Sequence, residues 1–116
     1  MEGMFVTVVE TSVFLNRAVD IMTDSERQSL VDYLAGNPTA GEDLGSGVRK
    51  LRFATGGRGK RGSVRVVTFY ADTRFPVFLL DVFAKSEKAN YSQAELREVR
   101  AIANRIIGSY RKEARK

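Results

Sequence analysis

GVRKLRFATGGRGKRGSVRVVTFYA, residues 47–71, decides the architecture. Two runs rich in β-branched and aromatic residues flank a glycine cluster, the pattern of a β-hairpin. In the first run, residues 47–54, Leu51 and Phe53 point one way and Lys50 and Arg52 the other, because successive strand side chains alternate between faces. The second run, VRVVTFYA at 64–71, is apolar on both faces. Between them, GGRGKRGSVR (56–65) holds four glycines and four bases and no acid. The glycines suit a hairpin tip, since they adopt the positive φ angles that tight turns require. They leave unexplained why Arg58, Lys60 and Arg61 stand among them. Glycine lets the backbone approach a phosphate closely and cations neutralise it, so the loop reads as closing on a nucleic-acid backbone.

Working outward, ADTRFP makes a turn and VFLLDVFA (77–84) forms a third, strongly apolar strand of the kind found at a sheet's centre. Lys85-Ser86-Glu87-Lys88 ends it. Upstream, MFVTVV (4–9) predicts a strand. A helix capped by Thr11 or Ser12 then runs to about Met22, with Phe14, Ala18 and Ile21 on one face. Thr23 and Glu26 form a capping box that opens a second helix, with Leu30, Val31 and Leu34 turned inward. Gly36-Asn37-Pro38 stops it near Ala35, and TAGEDLGSG reads as a polar loop. Ser92 and Glu95 make another capping box. The helix they open carries Val99, Ile102, Ala103, Ile106, Ile107 and Tyr110 as an apolar stripe, expected to pack on the chain's own sheet, with a docking face for a partner as the alternative. The basic tail 111–116 reads as frayed.

The order is therefore β-α-α-β-β-β-α, an α+β domain. The three later strands form an antiparallel meander with the helical pair on one face, and the Lys50 and Arg52 face is left open to a ligand. At 116 residues with 43% hydrophobic and 28% charged residues, the chain is expected to be one domain, residues 1–116, with its core at about 4–110.

The net charge of +5 hides an asymmetry. Residues 1–43 carry eight acids and two bases, whereas residues 44–116 carry six acids and seventeen bases. Between Asp43 and Asp72 stand seven bases and no acid. A one-signed segment of this kind attracts and steers a polyanion. There is no cysteine, hence no disulfide or thiolate metal site, and a reducing cytoplasm is the expected location. No apolar run approaches the ~18–20 residues needed to cross a bilayer, and the first ten residues lack signal-peptide features.

Gly57-x-Gly59-x-x-Gly62 matches the dinucleotide fingerprint by letter only, since a strand rather than a helix follows it. A phosphate-binding P-loop also fails: Arg61 follows Lys60 where Ser or Thr is needed. With no His and no Cys, the common nucleophile–base pairs are absent. The basic segment has no carboxylates to hold a metal, so neither metal nor cofactor is expected. RNA, however, carries its own nucleophile. Its 2′-OH attacks the adjacent phosphate in line, given a base, an acid for the leaving 5′-oxygen, and cations on the phosphate. Lys60, Lys85 or Tyr91 could serve as acid or base, with their pKa values expected to be lowered by the surrounding positive charge. Such chemistry is indifferent to chelators.

Taken together, Asn37-Pro38, GVRKLRFA, the loop GRGKRG followed by VRVV, and FAKSEKANYSQAE resemble the RelE/HigB-like toxins of bacterial toxin–antitoxin pairs. The likeness covers roughly residues 4–110. It implies a small domain with a curved antiparallel sheet and cleavage of mRNA in the ribosomal A site. It also implies a cognate antitoxin, often a helix-turn-helix protein in the HigB-like branch. By position, Lys50 and Arg52 match the family's basic pair on the second strand, and Arg65 matches an arginine that contacts phosphate. Lys60 and Arg61, with Arg58 beside them, belong to the basic loop. Lys85 and Lys88 fall where basic residues follow the last strand, and Tyr91 lies near a tyrosine that stacks on the cleaved nucleotide in some members. The chain departs from RelE-like members at Ser86, where an arginine is common, and in the Lys85-to-Tyr91 spacing, which differs by one.

The expected function is thus a ribosome-dependent mRNA endonuclease toxin. Two alternatives stay open: a ParE-like inhibitor of DNA gyrase, which shares the fold without a catalytic basic cleft, and a non-catalytic RNA-binding domain. The antitoxin is expected to bring an acidic or amphipathic segment to the basic face.

Overall fold

The computed structural model describes residues 5–56, 62–84 and 91–114. Along the chain run β1 (Val8–Glu10), α1 (Ser12–Ile21), α2 (Asp24–Gly36), β2 (Glu42–Gly45), β3 (Val48–Thr55), β4 (Gly62–Phe69), β5 (Val77–Ala84) and α3 (Gln93–Ala114). The strands form one sheet in the order β1-β5-β4-β3-β2. β2 to β5 make an antiparallel meander, and β1 adds to β5 in parallel. The class is α+β, as the alternation of elements implied. Because β1 and β2 occupy opposite edges, the intervening α1–α2 pair must cross the sheet, and it does so over one face.

Local chemistry sets the helix starts. Thr11 Oγ1 accepts from the Phe14 amide at 3.3 Å and donates to the Leu79 carbonyl at 2.7 Å, so one hydroxyl caps α1 and ties it to β5. In α2 the Glu26 amide donates to Thr23 Oγ1 and the Thr23 amide donates to Glu26 Oε1, the reciprocal capping box. Ser92 and Glu95 repeat it at α3. Each such cap is worth about 1 kcal/mol.

The two sheet faces carry separate cores. On the first, Phe14, Ala18, Ile21, Leu30 and Leu34 pack on Leu51, Val64, Val66, Leu79 and Val82. On the second, Val99 and Ala103 pack on Val48, Val67, Phe69, Phe78, Leu80 and Phe83. Each fully buried Phe, Leu or Val contributes roughly 1.5–3 kcal/mol of transfer free energy.

Several elements differ from the sequence reading. The polar loop contains a strand, β2. Its pairing with β3 closes through Ser46-Gly47, a two-residue turn with φ of 58° and 84°. Positive φ at both central residues gives the twist that hairpin strands need. A Cβ at Gly47 would meet the Phe69 ring at 2.9 Å, so glycine is required there twice over. β1 begins at Val8 rather than near residue 4, and it is parallel to its neighbour. α3 continues to Ala114, through most of the tail read as frayed. Its stripe is only partly used: Val99 and Ala103 are buried, while Ile102 and Tyr110 are each 39% exposed. The face bearing Lys50 and Arg52 is not wholly open, because α3 covers the part around Val48, Val67 and Phe69.

Candidate functional site

Register places Arg52 of β3 opposite Arg65 of β4, and Arg65 opposite Phe83 of β5. Two residues along the same face, Lys50 stands opposite Val67, and Val67 opposite Asp81. Directly opposed residues share a face with their Cβ atoms about 4.5–5.5 Å apart, where like charges are destabilising. Two guanidiniums therefore face each other across the central strand pair. Arg52 is exposed and Arg65 half-buried. Ser63 mediates between them: Arg52 Nε donates to its hydroxyl oxygen at 3.1 Å and Arg65 Nη1 at 2.8 Å. Among the described residues neither arginine has a carboxylate partner. One neutral oxygen thus serves two cations that each carry five N–H donors, and the arrangement suits an anion.

Lys50 differs from its expected state as an open cation. Its side chain is 16% exposed, and its Nζ lies 3.5 Å from Glu42 Oε1, its register partner on β2. The strand that the sequence concealed therefore supplies a counter-charge to one of the predicted cations.

Tyr91 caps the Phe83 end of the row. Its ring stacks on Phe83 with centroids 5.5 Å apart at 29°, and its hydroxyl donates to Asp81 Oδ2 at 2.6 Å. Asp81 Oδ1 also accepts from the Val82 amide at 2.8 Å and pairs with Arg17 Nε at 2.8 Å. Burial first, and then the hydrogen bond and charge of Asp81, push the Tyr91 hydroxyl well above its ordinary pKa. The expectation of a lowered value is not met, because burial disfavours the phenolate and the group nearest the hydroxyl is a carboxylate rather than a cation.

A raised folded-state pKa means that this bond stabilises the protein fully below about pH 10, the unfolded tyrosine value, and that the stability is lost as pH climbs above it. Tyr91→Phe is expected to lower stability by about 1–2 kcal/mol at pH 7 and to remove that alkaline loss. Urea midpoints measured from pH 7 to 11 check it. Parallel curves for the two proteins would place the hydroxyl elsewhere.

The hairpin tip starts from a fixed root. Gly56 donates its amide to Glu26 Oε2 at 2.8 Å, so the carboxylate that completes the α2 capping box also holds the end of β3. Thr55 pairs with Gly62, three positions beyond the arginine pair. At ~3.3 Å per residue, the tip springs from a point about 10 Å from Arg52 and Arg65. Arg58, Lys60 and Arg61 of the tip, and Lys85 and Lys88 after β5, lie outside the described residues.

Of the predicted site residues, the structure brings Arg52 and Arg65 into one cluster, sets Lys50 beside it in an ion pair, and places Tyr91 at its rim. It adds Ser63, Asp81, Phe83 and Arg17, which the sequence reading did not select. Ser63 was detectable as the residue two before Arg65, on the same face. Asp81 was detectable as the single acid inside an apolar strand.

A family model described as "RelE toxin of RelE / RelB toxin-antitoxin system" matches residues 13–116.

Proposed function

Because the chain belongs to the RelE toxin family, and so is the toxin of a toxin–antitoxin system with a cognate antitoxin as its partner, we propose that it is a metal-independent, ribosome-dependent mRNA endonuclease. One observation carries the reading: Arg52 and Arg65 oppose each other without a carboxylate partner among the described residues. A fold gains nothing from that pairing, but a scissile phosphate does.

In the proposed reaction the 2′-oxygen attacks phosphorus, the bond to the 5′-oxygen breaks, and a 2′,3′-cyclic phosphate and a 5′-hydroxyl result. Arg65 and Arg52 neutralise the non-bridging oxygens as charge gathers on them. Lys60 and Lys85 are the groups proposed to take the 2′-OH proton and to deliver one to the 5′-oxygen. Arg58, Arg61 and Lys88 hold flanking phosphates, and Lys50 adds long-range attraction. Tyr91, with its proton committed to Asp81, is better suited to hold Phe83 and the neighbouring chain in place than to move a proton. The antitoxin is proposed to be a helix-turn-helix protein.

No helix among the described residues is long and apolar enough to cross a membrane. Among the same residues no cluster of three acidic, His or Cys side chains could hold a metal. Any metal dependence would therefore appear as sensitivity to a chelator.

Transcriptome-wide mapping of mRNA 5′ ends after a brief pulse of expression tests the proposal. New ends at a fixed codon phase are expected in translated frames, and the same cleavage of ribosome-bound message should persist in EDTA. Growth arrest without new ends would favour gyrase inhibition. Salt-dependent RNA binding with neither arrest nor cleavage would leave a binding domain.

A further inference from the structure

Aromatic residues scattered along the sequence meet at the end of the sheet away from the arginine pair. Phe5, Tyr70, Phe75 and Tyr110 line a cavity of about 650 Å³, within the size range of small-ligand sites. Tyr70 comes five residues after Arg65, so at the rise of an extended strand the cavity lies about 16 Å from the cation row. Phe5 is 75% and Tyr110 39% exposed, apolar area that a folded chain gains nothing by leaving in water at adjacent sites. The rings are already arranged. Phe75 and Tyr110 have centroids 5.5 Å apart at 49°, and Tyr110 meets the buried Phe78 edge-on at 5.6 Å. Arg74 completes the wall. Its guanidinium carbon lies 5.8 Å from the Phe75 centroid, and its Nη2 and Nε donate to Asp72 at 2.8 and 3.1 Å. That pair fixes the guanidinium plane beside the ring, so the platform is set before a ligand arrives.

The approach to the cavity is basic. Arg97, Arg105 and Arg111 are exposed on α3 and, among the described residues, have no carboxylate within ion-pair distance. From Arg97 to Arg111 the helix rises about 21 Å, and Tyr110 brings its end to the cavity. Arg74, chiefly through its hydrogen bonds, and Arg111, through its charge, hold the Asp72 carboxyl down at about 2, so both cations act at this rim.

We infer that this cavity takes an unpaired RNA base, stacked against Phe75 and Tyr110, while the α3 arginines hold the phosphates that lead to it. A base stacks on aromatic rings and guanidinium planes, and its backbone needs cations; this surface supplies both. A proline-rich peptide would use the rings and leave the arginines idle. The inference rests on the reading of the chain as a nuclease acting on ribosome-bound message. It gives that enzyme a hold on RNA well away from the scissile phosphate, on a nucleotide of the message or of the ribosome.

The test uses the full chain on ribosomes carrying message. Ultraviolet light joins a base to a ring stacked on it, and mass spectrometry of the joined peptides is expected to find a nucleotide on the Phe75 or Tyr110 peptide. Its sequence context tells message from ribosomal RNA. Phe75→Leu with Tyr110→Leu is expected to raise KM for cleavage about tenfold with kcat unchanged, an effect independent of salt. Where the leucines lower thermal stability, Phe5→Ala replaces them, since that ring is mostly in water, and a KM rise of about fivefold is expected. Arg105→Ala with Arg111→Ala should raise KM by a factor that shrinks as salt is added.

Aromatic variants with KM within threefold of wild type overturn the inference. So do nucleotides joined near Arg65 and none at the cavity, and so does a chain that self-associates through the cavity and loses only self-association on substitution. If the wild-type chain neither cleaves message nor joins to any RNA, the functional reading fails instead, and the wild-type control separates the two failures.

Discussion

Arg65→Ala is expected to abolish growth arrest and to lower single-turnover cleavage of ribosome-bound mRNA by about 10²–10³-fold, the effect of removing one donor from a developing oxyanion. The expectation rests on where the residue sits. Arg65 is on β4, the middle strand of the meander, with Arg52 on one side and Phe83 on the other. It is half-buried, and Ser63 steadies one of its nitrogens. A guanidinium held this way meets phosphate at little further cost in side-chain entropy, and burial strengthens the contact. Arg65→Lys should recover only part of the loss, because an ammonium keeps the charge but not the two-pronged geometry. Neither variant should unfold the domain, since the substitution also relieves the repulsion from Arg52. The decisive comparison is the rate at saturating ribosome complex alongside the urea midpoint. Cleavage by Arg65→Ala within threefold of wild type would remove the arginine from the reaction.

The sequence announces some of this arrangement and hides the rest for physical reasons. The capping boxes at Thr23 and Ser92 were legible because they are contacts three residues apart. The burial of Leu51 and Phe53 against the helical pair was legible because strand alternation is local. β2 was hidden because Glu42-Asp43-Leu44-Gly45 has low strand propensity, and only its ladder with β3 makes it a strand. In the sequence Lys50 consequently looks open, although it has Glu42 beside it. Tyr91 is opaque for a related reason. Its hydroxyl chemistry is set by burial and then by Asp81, ten residues away on another element, and a linear count of nearby charges reports neither. The opposition of Arg52 and Arg65 is also non-local. Each arginine could be chosen from the sequence, but that they face each other depends on a register fixed by the full hairpin ladder.

That opposition yields a second large effect, in which stability and activity move in opposite directions. Arg52→Glu sets a carboxylate across from Arg65, with Ser63 still between them. Opposite charges at directly facing strand positions stabilise by about 0.2–1 kcal/mol, whereas like charges destabilise. The urea midpoint is therefore expected to rise by the equivalent of about 0.5–1 kcal/mol. Cleavage is expected to fall at least 10²-fold, because the new carboxylate occupies Arg65 and repels the phosphate. Binding of a single-stranded RNA oligonucleotide should lose about 0.7 of its log–log salt slope for each phosphate contact removed. Arg52→Ala separates the causes. It removes the repulsion without adding an attraction, so its stability should lie between wild type and Arg52→Glu, and it should retain more cleavage than Arg65→Ala, since Arg52 is the exposed member of the pair. A fall in stability for Arg52→Glu would mean that the two guanidiniums are not in conflict in the free protein. Full activity in the same variant would mean that the phosphate lies elsewhere. A gain in stability together with a loss of cleavage would show that the fold tolerates an unfavourable pair for what the pair binds, the usual relation between a site and its scaffold.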